Sequence, residues 1–200
     1  HYGEELKYAD EHTRIVDAGE KLVMPGFIDA HTHFFQGSLI FSKFVCTEIE
    51  HAISEDDCAC MIGRFAADHP EMPVIRGFGW FLPKWKGSPS FPTRDSLDKV
   101  VPDRPVYMVC ADTHSMWLNT KALEMAGILQ PGVDAPGNGV IVRDENGMAT
   151  GELRETAMNM VSDLIPEPSE ARKRELLIST IKKINATGVT SVHNMNGEME

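Results

Sequence analysis

Strand-like apolar runs alternate with helical segments along most of this chain, and that alternation limits the fold more than any other feature. Residues 105–110 are continuously apolar, as in a strand whose two faces are both buried. Residues 169–186 instead space their apolar side chains as one face of a helix does, and Gly188 follows them. Strands that alternate with helices predict parallel β/α units joined by right-handed crossovers. We therefore expect an α/β fold.

The same patterns divide most of the chain into elements. We predict four strands, at residues 27–33, 73–79, 105–110 and 189–193. We predict helices from Ser54 to Pro70, after Thr93, after Asn119 or Thr120, and at residues 169–186. The first of these helices begins with Ser54 and Asp57, which resemble a capping box with Asp in place of Glu.

Two segments depart from this alternation. Residues 1–24 contain short mixed runs that predict the last strands of a small sheet, and Pro25-Gly26 marks a boundary after them. Within residues 25–200, the Gly-rich stretch 131–151 predicts an inserted hairpin around Glu145-Asn-Gly147. The chain begins without Met and ends just after a strand-like run, so we interpret both ends as cut.

Composition excludes several classes of partner. The net charge is -11, and nucleic acid or an anionic membrane would need clustered Lys and Arg instead. A small-molecule partner is therefore expected, and a homo-oligomer is left open. The four cysteines have no C-x-x-C spacing, which indicates reduced thiols that are mostly buried. With no apolar stretch of about 18 residues and no signal segment, the default expectation is a soluble cytoplasmic protein.

His31-Thr-His33 is the sharpest chemical motif. In the strand period, Asp29, His31 and His33 lie on one face, so both imidazoles can reach one cation. Pro-Gly precedes the first predicted strand of the β/α units, and the histidine pair lies at the end of that strand. In α/β barrels, catalytic groups collect at such strand ends. Zinc is the first candidate. The alternative is two partly exposed histidines at a strand end.

Three motifs in order resemble the metal-dependent amidohydrolase superfamily. Met24-Pro-Gly-Phe-Ile-Asp-Ala-His-Thr-His33 is similar to its opening motif. Ala111-Asp-Thr-His-Ser-Met-Trp-Leu-Asn119 and Thr150-Gly-Glu-Leu-Arg-Glu-Thr-Ala157 resemble the YtcJ-like branch, amidohydrolase family 3, which includes N-substituted formamide deformylases. The resemblance spans residues 15–193.

The resemblance implies a small β-sandwich beside a (β/α)8 TIM-type barrel that hydrolyses amide-type C–N bonds. Residues 1–24 would be a remnant of the sandwich, and residues 25–200 the first half of the barrel, since a full barrel needs about 250 residues. The family pattern expects one or two divalent metal ions, with zinc as first choice, and two further histidines and an aspartate beyond residue 200. We therefore expect this chain by itself to be inactive.

Two further residues are candidates for the chemistry at the barrel mouth. The family pattern makes Glu155 a candidate acidic metal ligand; the alternative is a solvated glutamate at a helix start. His114 follows a strand and is a candidate catalytic residue that donates to the substrate or its oxyanion. A histidine held by loop hydrogen bonds is the alternative.

Two residues are candidates for substrate binding. Trp80 belongs to an aromatic group in the loop after the second strand, which is either a substrate wall or a small core of that loop. His193 ends the fourth strand and is predicted to point at the mouth. The family commonly has an acidic residue at the next position, where this chain has Asn194.

The predicted function is hydrolysis of N-acyl or N-formyl amines by metal-activated water. In this scheme His31 and His33 hold the metal, and an aspartate from a later strand serves as general base and then general acid. One alternative is a deaminase or cyclic-amide hydrolase of the same superfamily. Another is a barrel that binds a metal or ligand without turnover.

Overall fold

The computed structural model describes residues 4–40, 42, 44–87 and 90–195. Within them the helices are α1 (Phe34–Ile40), α2 (Glu55–Asp68), α3 (Arg94–Val100), α4 (Thr120–Met125) and α5 (Glu170–Asn185). The strands are β1 (Phe27–Thr32), β2 (Ile75–Trp80), β3 (Val106–Cys110), β4 (Ser115–Leu118), β5 (Val140–Arg143), β6 (Ala149–Arg154) and β7 (Val189–Asn194). A 3-10 helix, Glu155–Leu164, directly follows β6.

These strands form two sheets. β1 pairs only with β7, in parallel. The larger sheet has the order β2-β3-β4-β6-β5, in which β2 and β3 are parallel and the other neighbours are antiparallel. The described residues therefore have a mixed α/β architecture, with one parallel pair beside a mainly antiparallel sheet.

The four predicted strands occur as two parallel pairs, β1 with β7 and β2 with β3, and the described residues do not join the two pairs in one sheet. β3 is apolar throughout because buried clusters lie on both sides of its sheet. Met108 packs in one cluster with Trp80 and Trp117, and Tyr107 packs in the other with Leu153. Burial on both faces produces the same apolar run whether the neighbouring strand is parallel or antiparallel. The (β/α)8 barrel thus stays a prediction.

The strands predicted in residues 1–24 are not seen in the part of that segment that the structure describes. Residues 4–26 contain one 3-10 helix, Glu5–Tyr8, and no strand. Side chains such as Ile15, Val16 and Leu22 are exposed. A strand needs a neighbouring strand, and no strand of the described structure pairs with residues 4–26, so the sandwich remnant is not seen and stays a prediction.

Helix ends follow the sequence closely, because their caps are local. Ser54 accepts a hydrogen bond from the Asp57 backbone N–H at 3.1 Å, and Asp57 accepts one from the Ile53 N–H at 3.1 Å. Asn119 caps α4 by accepting from the Ala122 N–H at 3.0 Å. The predicted hairpin is confirmed as β5 and β6, joined by a turn in which Asp144 accepts from two backbone N–H groups.

No helix among the described residues is both long enough and apolar enough to cross a bilayer.

Candidate active site

The two histidines of the first motif lie side by side at the end of β1. His31 is in the strand, His33 follows it, and both side chains are exposed. Their ring centroids are 5.7 Å apart, with the ring planes at 72°. Two imidazoles on one tetrahedral zinc have centroids roughly 5 Å apart, given Zn–N distances of about 2.0–2.1 Å. The observed centroid distance is therefore close to that of two imidazoles that share one ion.

The end of β7 lies beside the end of β1. Thr32 is aligned with Asn194, and the Thr32 carbonyl accepts a hydrogen bond from the Met195 N–H at 2.8 Å. The Asn194 side-chain oxygen accepts from the Phe35 N–H at 3.4 Å, so it contacts the first turn of α1. His193 is exposed on the same strand end. Its role in substrate binding stays a prediction.

A second pair of polar side chains joins the other two motifs. His114, in the turn between β3 and β4, has its Nδ1 3.3 Å from both carboxylate oxygens of Glu155. The Glu155 N–H also donates to the His114 carbonyl at 3.0 Å, and the Asp112 carboxylate accepts from the His114 N–H at 2.9 Å. Motifs separated by 41 residues therefore meet at one place.

Backbone strain is concentrated at this second pair. Thr113 has φ +65° and Glu155 has φ +51°, and they are the non-glycine residues with positive φ in the described part of the chain. The left-handed conformation costs a non-glycine residue about 1–2 kcal/mol. Such strain clusters at functional sites, where the surrounding structure maintains it. Nothing in the sequence near Thr113 or Glu155 signals a positive φ, so the motifs alone could not reveal this feature.

One cavity is bordered by His33 of the first pair and by Thr113, the residue before His114. It has a volume of about 460 Å³ and is lined by His33 at the end of β1, Thr113 beside His114, and Phe78 of β2. Thr32, Thr180 and Ile184 also line it. The carboxyl-terminal ends of strands from both sheets thus open onto the same space. Thr113 and Phe78 were missed by sequence reasoning, because only the packing of the two sheets brings them to His33.

The His and Glu side chains described so far do not form a complete metal site. In the described ranges, no group of three or more His, Cys, Asp or Glu side chains is placed to hold an ion. Glu155 contacts His114 and is not gathered with His31 and His33 into such a group. The assignment of Glu155 as a metal ligand therefore stays a prediction.

Trp80 lies in the core, with 1% of its surface exposed. Its indole N–H donates to the Met108 carbonyl at 2.9 Å, and its ring contacts those of Trp85 and Trp117 at centroid distances of 5.9 and 6.2 Å. A side chain with its polar atom bonded and its ring covered has no surface left for a substrate in this conformation. The structure thus favours the small-core interpretation and speaks against Trp80 as a substrate-binding residue.

The cysteines are poorly suited to act as nucleophiles. Cys46, Cys58 and Cys110 are free and buried, and burial raises the pKa of all three thiols, that of Cys110 to about 11. The thiolate is the reactive form, and these pKa values keep it scarce near neutral pH. Cys60 is free and exposed. The polar groups at the cavity are therefore the better candidates for chemistry.

Comparison with known proteins agrees with the motifs. A model of the amidohydrolase family matches residues 14–200. The chain is 29% identical over 188 residues to "Putative amidohydrolase YtcJ" of Bacillus subtilis, covering 94% of this chain and 35% of that protein. It is 31% identical over 182 residues to "N-substituted formamide deformylase" of Arthrobacter pascens, covering 89% of this chain and 33% of that protein. The chain thus spans about a third of the length of these relatives.

Two solved structures are also similar to this chain, and the chain again covers about a third of each. An uncharacterized metal-dependent hydrolase from Pyrococcus horikoshii superposes with a TM-score of 0.54 at 24% identity, covering 84% of this chain and 30% of the other. A protein described in the same words from Pyrococcus furiosus gives a TM-score of 0.53, also at 24% identity, covering 84% of this chain and 31% of the other. At this identity the likeness concerns the fold.

Proposed function

Because this chain belongs to the amidohydrolase family, we propose that it forms part of a metal-dependent hydrolase that cleaves amide-type C–N bonds of N-acyl or N-formyl amines. The main support is the cavity of about 460 Å³ that places His33 and the turn before His114 around one space. An exposed imidazole pair, a His–Glu pair and room for a small substrate are what such a reaction needs.

His31 and His33 would hold a divalent metal, most simply zinc. Their exposure and their centroid distance of 5.7 Å suit two imidazole ligands on one ion, and further ligands must complete the shell. When bound, such an ion lowers the pKa of a coordinated water to about 7 and polarises a carbonyl oxygen. Asp29 accepts a hydrogen bond from the His31 N–H at 3.2 Å, which helps to fix the backbone that presents the pair.

His114 and Glu155 would act on the substrate carbonyl. The contact between Glu155 and Nδ1 of His114 orients the imidazole and suits the tautomer in which Nδ1 carries the hydrogen. Nε2 then faces away from the carboxylate and, when protonated, can donate to an oxygen that gains negative charge. As a metal ligand, Glu155 would use the same carboxylate that contacts His114.

The substrate class is the most specific part of the proposal. One relative is named as a deformylase of N-substituted formamides, which suits a cavity of modest size. A deaminase or cyclic-amide hydrolase would use the same histidine pair with another leaving group. A protein that binds a metal or ligand without turnover is the second candidate.

The test uses the intact protein with His31→Ala and His33→Ala together. Elemental analysis after dialysis should show bound zinc in the wild type and its loss in this double variant. His51→Ala is the matched control, because His51 is exposed and pairs only with neighbouring Glu50. Equal metal content in the double variant and the wild type would contradict the metal assignment. Turnover of N-formyl amines that a chelator abolishes would exclude the binding protein.

A further inference from the structure

A second cavity also borders α1, and it shares no lining residue with the cavity of the candidate active site. It has a volume of about 220 Å³ and lies between α1, β2 and the segment 166–168. Its apolar wall is formed by Leu39, Phe44, Met72, Val74 and Pro166. An adjoining cavity of about 480 Å³ shares Leu39, Arg76 and the segment 166–168 with it. We call the smaller space the Arg76 cavity.

Arg76 contributes a guanidinium that has no counter-ion among the described residues. Its side chain is half-buried on β2 and lines both cavities. Among the described residues it has no side-chain hydrogen bond or ion pair, and burial lowers its pKa. A partly desolvated cation without an acceptor is unfavourable, because the lost hydration is not replaced. The side chain is thus suited to receive an anion from solution.

Arg172 of α5 brings a second guanidinium to the same cavity. One of its terminal nitrogens donates to Glu175 at 2.5 Å, and its guanidinium lies 4.7 Å from the centroid of the Phe44 ring. Its Nε is buried and has no hydrogen-bond acceptor in the described structure. Two separate arginines of this cavity therefore retain donors that the described residues do not satisfy.

The acidic residue of the lining does not neutralise these arginines. Glu167 bonds to Lys173 Nζ at 2.8 Å, and this contact lowers the pKa of the Glu167 carboxyl. It therefore remains ionised and paired with Lys173, which is itself also 3.0 Å from Glu170. Arg76 is left as the uncompensated charge at the wall shared by the two cavities.

From this arrangement we propose that the Arg76 cavity binds a small organic carboxylate with a short apolar tail. A carboxylate can accept two parallel hydrogen bonds from the Arg76 guanidinium, and Arg172 lines the same cavity. The apolar wall would cover the tail, which inorganic phosphate and acetate lack. The site is independent of the proposed hydrolysis, since neither His31–His33 nor His114–Glu155 lines it.

The first experiment compares ligands on the intact protein by isothermal titration calorimetry. Hexanoate should bind saturably, and 1-hexanol, acetate and inorganic phosphate should each bind at least about tenfold more weakly, because each lacks either the charge or the tail. Equal binding of 1-hexanol and hexanoate would overturn the role of the arginines. Equal binding of phosphate would show a plain anion site, and no binding of hexanoate would end the proposal.

The second experiment uses variants that keep the apolar volume. Arg76→Met should weaken hexanoate binding about tenfold or more, because a charge-assisted contact is lost. Arg172→Met should weaken it as well, while Arg174→Met, on the exposed side of the same helix, should leave it unchanged. Circular dichroism checks that each variant folds. Unchanged affinity in folded Arg76→Met overturns the proposal, and if that variant does not fold, Arg172→Met and the ligand series decide.

Discussion

Asn119 shows how much one buried side chain can organise. Its amide is fully buried and makes four hydrogen bonds, accepting from the N–H groups of Val106 and Ala122 and donating to the carbonyls of Val101 and Arg104. It therefore joins the end of α3, the start of β3 and the start of α4. Sequence patterns predicted only the helix cap, because the other partners are 13 or more residues away.

Asn119→Ala should lower the free energy of unfolding by about 3 kcal/mol. The truncation leaves several buried backbone groups without hydrogen-bond partners. Each unpaired group costs about 1–3 kcal/mol of stability, and water molecules will hydrogen-bond to some of them, which reduces the total. Urea denaturation measures the change. Asn159→Ala is the control, because Asn159 is exposed and should change stability by less than about 0.5 kcal/mol. A small effect in both variants would contradict the bonding scheme.

Glu155 is expected to lower the stability of the fold while it supports the reaction. Glu155→Gly removes the left-handed strain at φ +51° and should raise the free energy of unfolding by about 0.5–1 kcal/mol. The same change removes the carboxylate beside His114, so turnover of the intact enzyme should fall about a hundredfold or more. Thermal unfolding and initial rates measure the two effects.

The control for this prediction is Glu124→Gly in α4. Glu124 lies in a helix, so glycine there should lower stability by about 1 kcal/mol. If both glycine variants lose stability alike, the strain at residue 155 is not relieved by glycine. If Glu155→Gly keeps full activity, the pair with His114 has no part in the reaction.

At the level of elements, Gly151 explains how closely α3 packs on the larger sheet. It lies in β6 with φ +118°, and a Cβ there would be 2.7 Å from the Arg94 nitrogen and 2.8 Å from the Leu118 oxygen. Both neighbours are backbone atoms and cannot move aside alone. The glycine of the third motif thus has a packing reason that its sequence context did not reveal.

Gly151→Ala should lower the free energy of unfolding by about 2 kcal/mol or more, since α3 must shift from the sheet as well as bear the backbone strain. Gly132→Ala is the matched control, with φ +92° and no atom within 4 Å of the added Cβ. It should cost only the strain, about 1 kcal/mol. Chemical denaturation of both proteins checks this difference, and equal losses would show that the close approach is unimportant.

Element boundaries and sheet membership were predictable to different degrees. Ser54, Asn119 and Ser169 each cap a helix through a backbone N–H three residues later, so a short window of sequence suffices. β4, by contrast, was missed although all four of its residues are buried. β4 pairs with β3 across a short turn, but its pairing with β6 joins distant parts of the chain, which no local pattern reports.

At the level of the whole molecule, the β1–β7 pair is the less enclosed part. Phe27 and Ile28 of β1 are exposed, and α5 has no buried residue. Two strands alone are marginally stable, so this region depends on what packs against it. The candidate metal pair lies at its end, and a bound ion should therefore stabilise it more visibly than it stabilises the larger sheet.

Zinc should raise the unfolding free energy of the intact protein by about 2.7 kcal/mol at a free concentration 100 times its Kd. The gain should vanish in the His31→Ala, His33→Ala double variant and persist in His51→Ala. Thermal melts at fixed zinc measure it, and hydrogen exchange of β1 and β7 should slow in parallel. A gain that survives in the double variant would place the ion elsewhere.

The sequence by itself determined the features that depend on neighbours along the chain: the helix ends, the β5–β6 hairpin, and the spacing that sets His31 beside His33. The tertiary structure decided which strands share a sheet, that Trp80 is enclosed, and that His114 meets Glu155 next to a space lined by His33. The reason is physical. Caps and strand alternation act over two to four residues, whereas burial and pairing join segments whose separation no short pattern encodes.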